Sequence, residues 1–393
     1  MRTPRLVADI YPGSNGSSLR NFRAVGRTLF FSAFDGRTGV ELWKSNGTAA
    51  GTKLVKDINP GGGQRGSSFP GELTAVGNTL FFTALAPISG SELWKSNGTS
   101  SGTKIVKDIW PELISSGAST LTAVGKSLFF RATDGKNDGL WKSDGTSAGT
   151  KLVRANLAIA RSGFIVGPPF AAAVKRTLFF SGSDGGSGLE LWKSNGTSAG
   201  TKLVREIRPG LLGSEPRELT RVGNMLFFTA NDGITGRELW KSDGTREGTT
   251  RVRDILTGFF AGSPLSSEPL DLTAVGDTLF FSARDQSGGR ELWKSDGTPA
   301  GTSRVADILP GNNSSDPREL TAVGNTLFFT ANGEDRGRGL WKSNGTAAGT
   351  VFVSDLGATG TAISELTAMG RTLFFSRSAN DKGFELWALD VNP

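Results

Sequence analysis

Carboxylates are the side chains whose spacing points most directly to chemistry in this sequence. They recur at fixed places in a period of roughly fifty residues, which is typical of a repeat protein. One set precedes a short β-strand pattern and consists of Glu72, Glu218, Asp271, Glu319 and Glu365. A second set starts a Glu-Leu-Trp segment and consists of Glu41, Glu92, Glu190, Glu238, Glu291 and Glu385. Convergent carboxylates bind hard cations such as Ca²⁺, and a pair at a suitable separation hydrolyses glycosidic bonds.

Two interpretations of the first set stay open. If its strands line the centre of a closed array of repeats, the five carboxylates ring the mouth of a central channel and bind Ca²⁺. Alternatively, each carboxylate pairs with a nearby Arg or Lys or caps a turn, and recurrence in nearly every repeat favours this second interpretation. A catalytic site ordinarily breaks repeat symmetry in one or two repeats. No unique acid pair stands out, so we assign no catalytic residue.

The absence of two residue types excludes several classes of site. The chain has no histidine, no cysteine and a single tyrosine, Tyr11. Ser-His-Asp triads, cysteine nucleophiles, histidine metal sites and disulfides are therefore excluded. Enzymatic function remains open, but a non-catalytic protein is the stronger expectation.

The net charge of +7 comes from 44 basic and 37 acidic residues. The basic residues recur once or twice in each repeat and are interleaved with acids, which indicates a solvated outer strand rather than a nucleic-acid-binding groove. We therefore expect no nucleic-acid partner. No apolar run approaches the length of about 18 residues that a membrane helix needs, and residues 5–10 already read as a strand, so we expect any secretory signal to be absent from this chain.

Two constant segments define the repeat. The segment Leu-Trp-Lys-Ser-(Asn/Asp)-Gly-Thr begins at Leu42, Leu93, Leu140, Leu191, Leu239, Leu292 and Leu340, and a truncated copy begins at Leu386. A (Thr/Ser/Met)-Leu-Phe-Phe segment lies upstream of every copy. In the fifth repeat, residues 218–223, 225–230, 237–242 and 250–255 read as four strands separated by Gly, Asn and Asp turns, which predicts an antiparallel meander.

The two ends of the chain predict how the array closes. Residues 5–10 match the fourth strand of a repeat, residues 53–58, whereas the chain ends on a third strand at residues 385–387. The first strand is therefore predicted to complete the last repeat, which removes two exposed sheet edges. We predict an all-β fold, an eight-bladed β-propeller of four-stranded blades, with residues 1–393 in a single domain of repeats of about 49 residues.

The pattern Glu-Leu-Trp-Lys-Ser-(Asn/Asp)-Gly-Thr-x-x-Gly-Thr resembles that of the bacterial ELWxxDGT repeat family. It is complete at residues 41–52, 92–103, 190–201, 238–249 and 291–302, whereas Gly139 and Gly339 replace the glutamate in two copies. Either Asn or Asp suits the turn position, because both tolerate a left-handed backbone. The resemblance implies a secreted or surface-attached bacterial protein and no activity common to the family.

The repeated tryptophans, at the position of Trp43, could stack on sugars, but their recurrence within a strand favours wedges between blades. They resemble the tryptophan-docking motifs of eight-bladed quinoprotein dehydrogenases. The Asn-Gly-Thr triplets also match glycosylation sites, yet a tight turn needs the same residues and other copies use Asp.

Repeats diverge most in the connection between the fourth strand of one repeat and the first strand of the next. The longest such loops span 155–170, with Phe164, and 256–269, with Phe259 and Phe260, while another loop contributes Trp110. Variation confined to one face of a repeat array usually marks a binding face. These four aromatic residues are the candidate ligand-binding residues. The alternative is that they cover the blades and only plug the fold.

We therefore predict a monomeric, non-catalytic, lectin-like binding propeller, secreted or at the bacterial cell surface, that presents its variable loops to a carbohydrate or protein partner. The alternatives are an extracellular polysaccharide lyase or hydrolase and a purely structural spacer. No cofactor is expected other than the Ca²⁺ considered above.

Overall fold

The fold is an eight-bladed β-propeller, as predicted. A computed structural model describes residues 3–161, 169–287, 289–334, 336–355, 363–378 and 382–391. Within these residues every blade is an antiparallel sheet, and the helical structure is limited to one 3-10 turn, Gly63–Gly66. No helix in the described part of the chain is long and apolar enough to cross a membrane.

The blades fall into two compact units with four blades each. The first unit comprises Arg2–Asn156 with Gly360–Asn392, and the second comprises Leu157–Thr359. We letter the strands of each blade A to D in the order of the meander, with A at one edge of the sheet and D at the other. The prediction of a single domain over residues 1–393 stays a prediction.

The first unit contains blades 1, 2, 3 and 8. Strands A to D are Arg20–Val25, Thr28–Phe34, Val40–Ser45 and Lys53–Lys56 in blade 1, and Gly71–Val76, Thr79–Ala86, Gly90–Ser96 and Lys104–Lys107 in blade 2. They are Ser119–Val124, Ser127–Thr133, Asp138–Ser143 and Lys151–Ala155 in blade 3, and Ile363–Met369, Thr372–Ser378, Phe384–Asp390 and Arg5–Ala8 in blade 8.

The second unit contains blades 4 to 7. Blade 4 has Ala171–Val174, Thr177–Ser183, Glu190–Ser194 and Lys202–Arg205, with Ala158–Ile159 also paired to strand B. Blade 5 has Arg217–Val222, Met225–Asn231, Arg237–Ser242 and Thr250–Arg253, and blade 6 has Leu270–Val275, Thr278–Arg284, Arg290–Ser295 and Ser303–Ala306. Blade 7 has Arg318–Val323, Thr326–Gly333, Arg336–Ser343 and Val351–Ser354, and a short hairpin pairs Phe259–Phe260 with Ser263–Pro264.

The last blade is closed by the first strand of the chain, as predicted. Arg5 lies opposite Ala388 and Leu6 lies opposite Trp387 in an antiparallel pair. Ala388 stands where five other blades have a lysine that donates to a glycine carbonyl of the next blade, and Arg5 takes over that contact. Its guanidinium donates to the Gly47 carbonyl oxygen over 2.8 Å. The hydrogen bond from Arg5 therefore links blade 8 to blade 1.

The core lies between successive blades, because side chains alternate across each strand and both faces of a blade are apolar. One face of blade 4 contributes Phe179 and Leu191, and the facing side of blade 5 contributes Phe228 and Trp240 to the same buried cluster. The Trp240 indole lies 6.5 Å from the Phe228 ring and is 5% exposed. The interpretation of the repeated tryptophans as wedges between blades is thus confirmed in this cluster and in those that hold Trp94, Trp141 and Trp293.

Replacing Trp240 by alanine is expected to lower the free energy of unfolding by about 3–5 kcal/mol, since it deletes a buried aromatic ring from a packed interface. Guanidinium denaturation followed by far-UV circular dichroism measures the change. Ile234→Ala, at a side chain 72% exposed on the same blade, serves as the control and should change stability by no more than about 0.5 kcal/mol. Equal effects of the two substitutions would contradict the placement of the core between blades.

Candidate functional site

The Ser-(Asn/Asp)-Gly-Thr residues that follow each Trp-Lys pair form the turn between strands C and D, and their side chains bond within it. In blade 5 the Ser242 hydroxyl lies 2.7 Å from that of Thr249, and the Thr245 amide donates to Asp243 over 2.8 Å. A Cβ atom on Gly248 would lie 2.1 Å from an Asp243 carboxylate oxygen, so glycine is required there. The hydrogen bonds from Thr245 hold the pKa of Asp243 below its usual value.

The asparagines of the Asn-Gly-Thr triplets make the same bonds. The Asn46 side-chain oxygen accepts from the Thr48 amide and hydroxyl over 3.1 and 2.8 Å. Asn97, Asn195 and Asn344 accept equivalent bonds from the threonine two positions on. These side chains build the turn in every copy, so the triplets are explained by the fold.

The glutamates that begin strand C clamp the bases of the variable loops. We call them the clamp glutamates: Glu41, Glu92, Glu190, Glu238, Glu291 and Glu385. Glu238 is fully buried and accepts bonds from the Ile255 amide over 3.0 Å and the Ser267 amide over 2.8 Å. Ile255 follows strand D of blade 5 and Ser267 precedes strand A of blade 6, so a single carboxylate joins the two ends of the loop between them.

Burial of the clamp glutamates disfavours their charged form. It raises the pKa of Glu238 to about 7, although the hydrogen bonds from Ser267 and Ile255 oppose the shift. The pKa values of Glu41 and Glu92 are likewise raised to about 7 by burial. These carboxylates are enclosed by backbone amides and serine hydroxyls, which makes them structural groups below the loop face.

The five carboxylates predicted to ring a channel lie within strand A, at a β-bulge. Glu72, Glu218, Asp271, Glu319 and Glu365 all have positive φ, between 56° and 64°. Three of them accept a hydrogen bond from a backbone amide in strand A of the next blade: Glu72 from Leu121 (3.2 Å), Glu218 from Leu272 (3.3 Å) and Glu365 from Phe22 (3.0 Å). The bulge releases these amides from the sheet ladder, and the carboxylates satisfy them.

Glu218 and Asp271 occupy successive blades of the second unit. Burial raises the pKa of Glu218 to about 7, and the charge of Asp271 adds to the shift. Burial also raises the pKa of Asp271, one of whose carboxylate oxygens is buried without a hydrogen-bond partner. In the described residues no group of three or more His, Cys, Asp or Glu side chains is arranged to hold a metal ion. Calcium binding by the five carboxylates stays a prediction.

The aromatic candidates of the variable loops are placed differently from one another. Phe164 lies outside the described residues. Trp110 is partly buried against the loop between strands B and C of blade 3, where a Cβ atom on Gly135 would lie 2.8 Å from the indole ring. Trp110 thus joins a variable loop to the blade that follows it.

Phe259 and Phe260 stand on the short hairpin and are 70% and 76% exposed. The hairpin turns at Ala261 and Gly262, whose φ values of 49° and 79° give it a left-handed backbone. The two rings point to opposite sides of the hairpin, because successive residues of a strand alternate. A plug would require the rings to pack over the blades, and neither ring does so.

The hairpin is an insertion above a standard base. Ile255 and Ser267, the partners of Glu238, are 12 positions apart, whereas Ile207 and Ser214, the partners of Glu190, are 7 positions apart. Both loops are closed by the same clamp. The extra residues of the longer loop are therefore not needed to connect the two blades.

Sequence reasoning missed three exposed aliphatic residues on loops at the same end of the strands as this hairpin. Leu211, Leu212 and Ile234 are 85%, 70% and 72% exposed. The B–C loop of blade 5 contacts the D–A loops on either side of it. A Cβ atom on Gly233 would lie 2.9 Å from the Arg208 side chain, and one on Gly236 would lie 2.2 Å from the Leu265 carbonyl oxygen. The sequence feature that could have revealed Leu211 and Leu212 is their position side by side in a loop otherwise rich in glycine and proline. We call Leu211, Leu212, Ile234, Phe259 and Phe260 the blade 5 apolar patch.

The first unit has a comparable group on its variable loops. Phe69, Ile88 and Leu113 are 62%, 84% and 71% exposed. The loop of Leu113 packs on the loop of Ile88, because a Cβ atom on Gly90 would lie 2.9 Å from the backbone of Ile114. In each unit, therefore, exposed apolar side chains collect on the B–C loops and on the variable D–A loops, at one end of the strands.

Comparison with known proteins adds the fold alone. No protein-family model matches the chain, and no curated protein matches its sequence. A prolyl endopeptidase structure superposes with a TM-score of 0.51 at 15% identity, over 96% of this chain and 47% of that chain. Prolyl oligopeptidase B from Galerina marginata superposes with a TM-score of 0.54 at 11% identity, over 93% of this chain and 55% of that chain. This chain spans about half the length of these structures.

The clamp glutamates predict a pH dependence of stability. An acid whose pKa is raised in the folded state binds its proton more tightly when folded, so the free energy of unfolding falls as the pH rises from about 4.5 to about 7 and then levels off. Each unit of pKa difference is worth about 1.4 kcal/mol. Urea denaturation across pH 4.5–8 measures the slope. Glu238→Gln should make it shallower, and Glu247→Gln, at an exposed residue of the same blade, should leave it unchanged. A slope that survives Glu238→Gln in full would contradict the assignment.

The strand A carboxylates give a prediction for calcium. Because three of them already accept backbone hydrogen bonds, we expect the melting temperature to be the same with Ca²⁺ and with chelator. Differential scanning calorimetry in both buffers makes the comparison. A lower melting temperature in chelator that Glu218→Gln abolishes would instead assign Ca²⁺ to this set.

Proposed function

We propose that this chain is a non-catalytic binding propeller that contacts its partner with the variable loops of blade 5. The observation that carries the proposal is the inserted hairpin with Phe259 and Phe260 in solvent. Contiguous exposed apolar groups are rare on soluble monomers and usually mark an interaction site. The constant parts of the repeat support the same conclusion, because their side chains are used in turns, clamps and the core.

The chemistry of the blade 5 apolar patch favours a protein partner over a carbohydrate. Sugar sites combine aromatic platforms with several polar groups that bond to hydroxyls, whereas three of the five patch residues are aliphatic. Phe259 and Phe260 also face opposite sides of the hairpin, so a single sugar ring cannot stack on both. Such a hairpin fits an apolar cleft that encloses it, in which buried aromatic side chains act as binding hot spots.

Membership of the ELWxxDGT repeat family belongs to the same proposal, and with it a location at the bacterial cell surface or outside the cell. The motif is complete in five copies and covers the length of the chain. The proposal also includes a monomeric state, since the proposed contact uses loops of blade 5 rather than a sheet edge.

A polysaccharide lyase or hydrolase is the second candidate and has weaker support. It needs a pair of carboxylates that departs from the repeat, but the buried acids described above follow the repeat and accept bonds from backbone amides. Burial raises the pKa of both Glu218 and Asp271, which lie in successive blades, so they are the first pair to test. Loss of activity on substitution of either residue would be the first evidence for catalysis.

Substitution of both phenylalanines by serine tests the binding proposal. The double variant Phe259→Ser, Phe260→Ser should reduce binding at least tenfold in a screen of immobilised envelope proteins from the source cell and of a glycan array. Stability should change by less than about 0.5 kcal/mol, since both rings are exposed. Leu203→Ser with Val351→Ser, which alters two exposed apolar residues of outer strands, is the matched control.

Three results would contradict this proposal. Binding that the double variant retains would remove the hairpin from the interface. A loss of stability without a loss of binding would assign the rings to a plug. Hits confined to the glycan array that the double variant abolishes would replace the protein partner by a carbohydrate.

A further inference from the structure

Opposed lysines distinguish four blades from the others. In blades 1 to 4 the lysine after the tryptophan in strand C lies directly across from a lysine that begins strand D. These pairs are Lys44 with Lys53, Lys95 with Lys104, Lys142 with Lys151 and Lys193 with Lys202. In blades 5 to 7 the residue opposite the strand C lysine is Thr250, Ser303 or Val351. Like charges directly opposite in a sheet are destabilising, so the fold alone does not explain the second lysine.

The first lysine of each pair has a structural partner. The Lys193 ammonium donates to the Gly244 carbonyl in the turn of the next blade over 2.7 Å, and Lys241, in a blade without a lysine pair, makes the same bond to Gly297 over 2.8 Å. The second lysine, Lys202, is exposed at the start of strand D. Three blades replace it by a neutral residue and keep the turn. The strand D lysine is thus the member of the pair that folding does not require.

A cleft lies at one of these pairs, between the C–D turns of blades 4 and 5. It has a volume of about 290 Å³, and Lys193, Lys202, Thr177 and Asn195 line it above Phe179. This volume is near the lower end for small-ligand pockets and suits a single sugar residue. Asp243 also lines the cleft, but its carboxylate accepts bonds from Thr245 within its own turn. Asn97 occupies the equivalent position beside the Lys44–Lys53 pair.

We propose that the lysine-paired C–D turns are subsites for an acidic polysaccharide, with one carboxylate or sulfate group held between the two ammonium groups of each pair. This surface lies at the opposite end of the strands from the blade 5 apolar patch, so the proposal goes beyond the proposed function and stands independently of it. In the first unit three successive blades carry a pair. Repeated weak subsites on one polymer add up to strong binding, because each later contact is intramolecular.

The side chains around the pairs favour a polysaccharide over other polyanions. Residues 46–52, 97–103, 144–150 and 195–201 consist of Asn, Asp, Gly, Thr, Ser and Ala, and the asparagine N–H groups and serine hydroxyls suit sugar hydroxyls. The exposed large apolar residues of the described chain all lie outside these turns. A bilayer would require such residues for insertion, and single-stranded nucleic acid would require exposed aromatic rings for stacking.

The test uses the full chain and removes the lysine that the fold does not need. The triple variant Lys53→Thr, Lys104→Thr, Lys202→Thr introduces the residue that blade 5 has at this position. The ligand is polygalacturonate, with neutral dextran as the uncharged polymer, and affinity is measured by isothermal titration calorimetry at several salt concentrations. The wild-type chain should bind polygalacturonate and not dextran, and its affinity should fall as salt rises.

The control is a triple variant with the same change of net charge on the loop face: Arg37→Thr, Lys136→Thr, Arg284→Thr. All three residues are exposed. The lysine variant should lose at least tenfold in affinity for polygalacturonate, and the control should stay within about threefold. The lysine variant should melt no lower than the wild type, because it relieves like-charge pairs.

Several results would overturn the proposal. Equal losses in both variants would show an effect of net charge alone, and no loss in the lysine variant would remove the pairs from the site. Phosphatidylglycerol vesicles and duplex DNA are titrated in parallel; tighter binding of either, lost in the lysine variant, would replace the polysaccharide as ligand. The double variant Phe259→Ser, Phe260→Ser should retain polygalacturonate binding, so failure of one proposal leaves the other intact.

Discussion

The burial of both faces of every blade is the constraint on which this structure depends. A four-stranded sheet with apolar side chains on its two faces cannot bury them alone, and each cluster is completed only by the next blade. Phe179 on one blade and Trp240 on the next belong to one such cluster. The spacing of the Leu-Phe-Phe and Leu-Trp segments is therefore set by contact with the neighbouring repeat, which is why these segments vary so little along the chain.

The clamp glutamates separate this constant core from the variable loops. Each one bonds to an isoleucine amide just past a strand D and to a serine before the next strand A, so the loop begins and ends at fixed points whatever its length. A loop with such a base can gain residues without moving the blades, and the hairpin of Phe259 and Phe260 is a gain of this kind. The burial that raises the pKa of Glu238 is part of the same arrangement, since a carboxylate that bonds to both ends of a loop must lie beneath it.

The strands, the turns and the closure by the first strand were predictable from the sequence, because each depends on local patterns that recur along the chain. The role of Glu218 was not, since it depends on a bulge that exposes the Leu272 amide in another blade. The exposure of Phe259 was left open for a similar reason: an apolar loop residue reads the same in sequence whether it is buried or in solvent. The lysines alternate with acids along the chain, as the sequence shows. They do not alternate between paired strands, since the register of strands C and D in blade 4 brings Lys193 opposite Lys202.

That difference follows from the direction of the strands. In blade 1, strand C carries Glu41 near its start and Lys44 near its end, and strand D, which runs the other way, begins with Lys53 and is followed by Asp57. Antiparallel pairing therefore collects acids at the loop end of a blade and lysines at the turn end, although the two charges alternate in the sequence. Each unit consequently offers two chemically different surfaces on one rigid set of strands. A residue can change at one end, as Lys202 and Thr250 differ between blades 4 and 5, without altering the loops at the other.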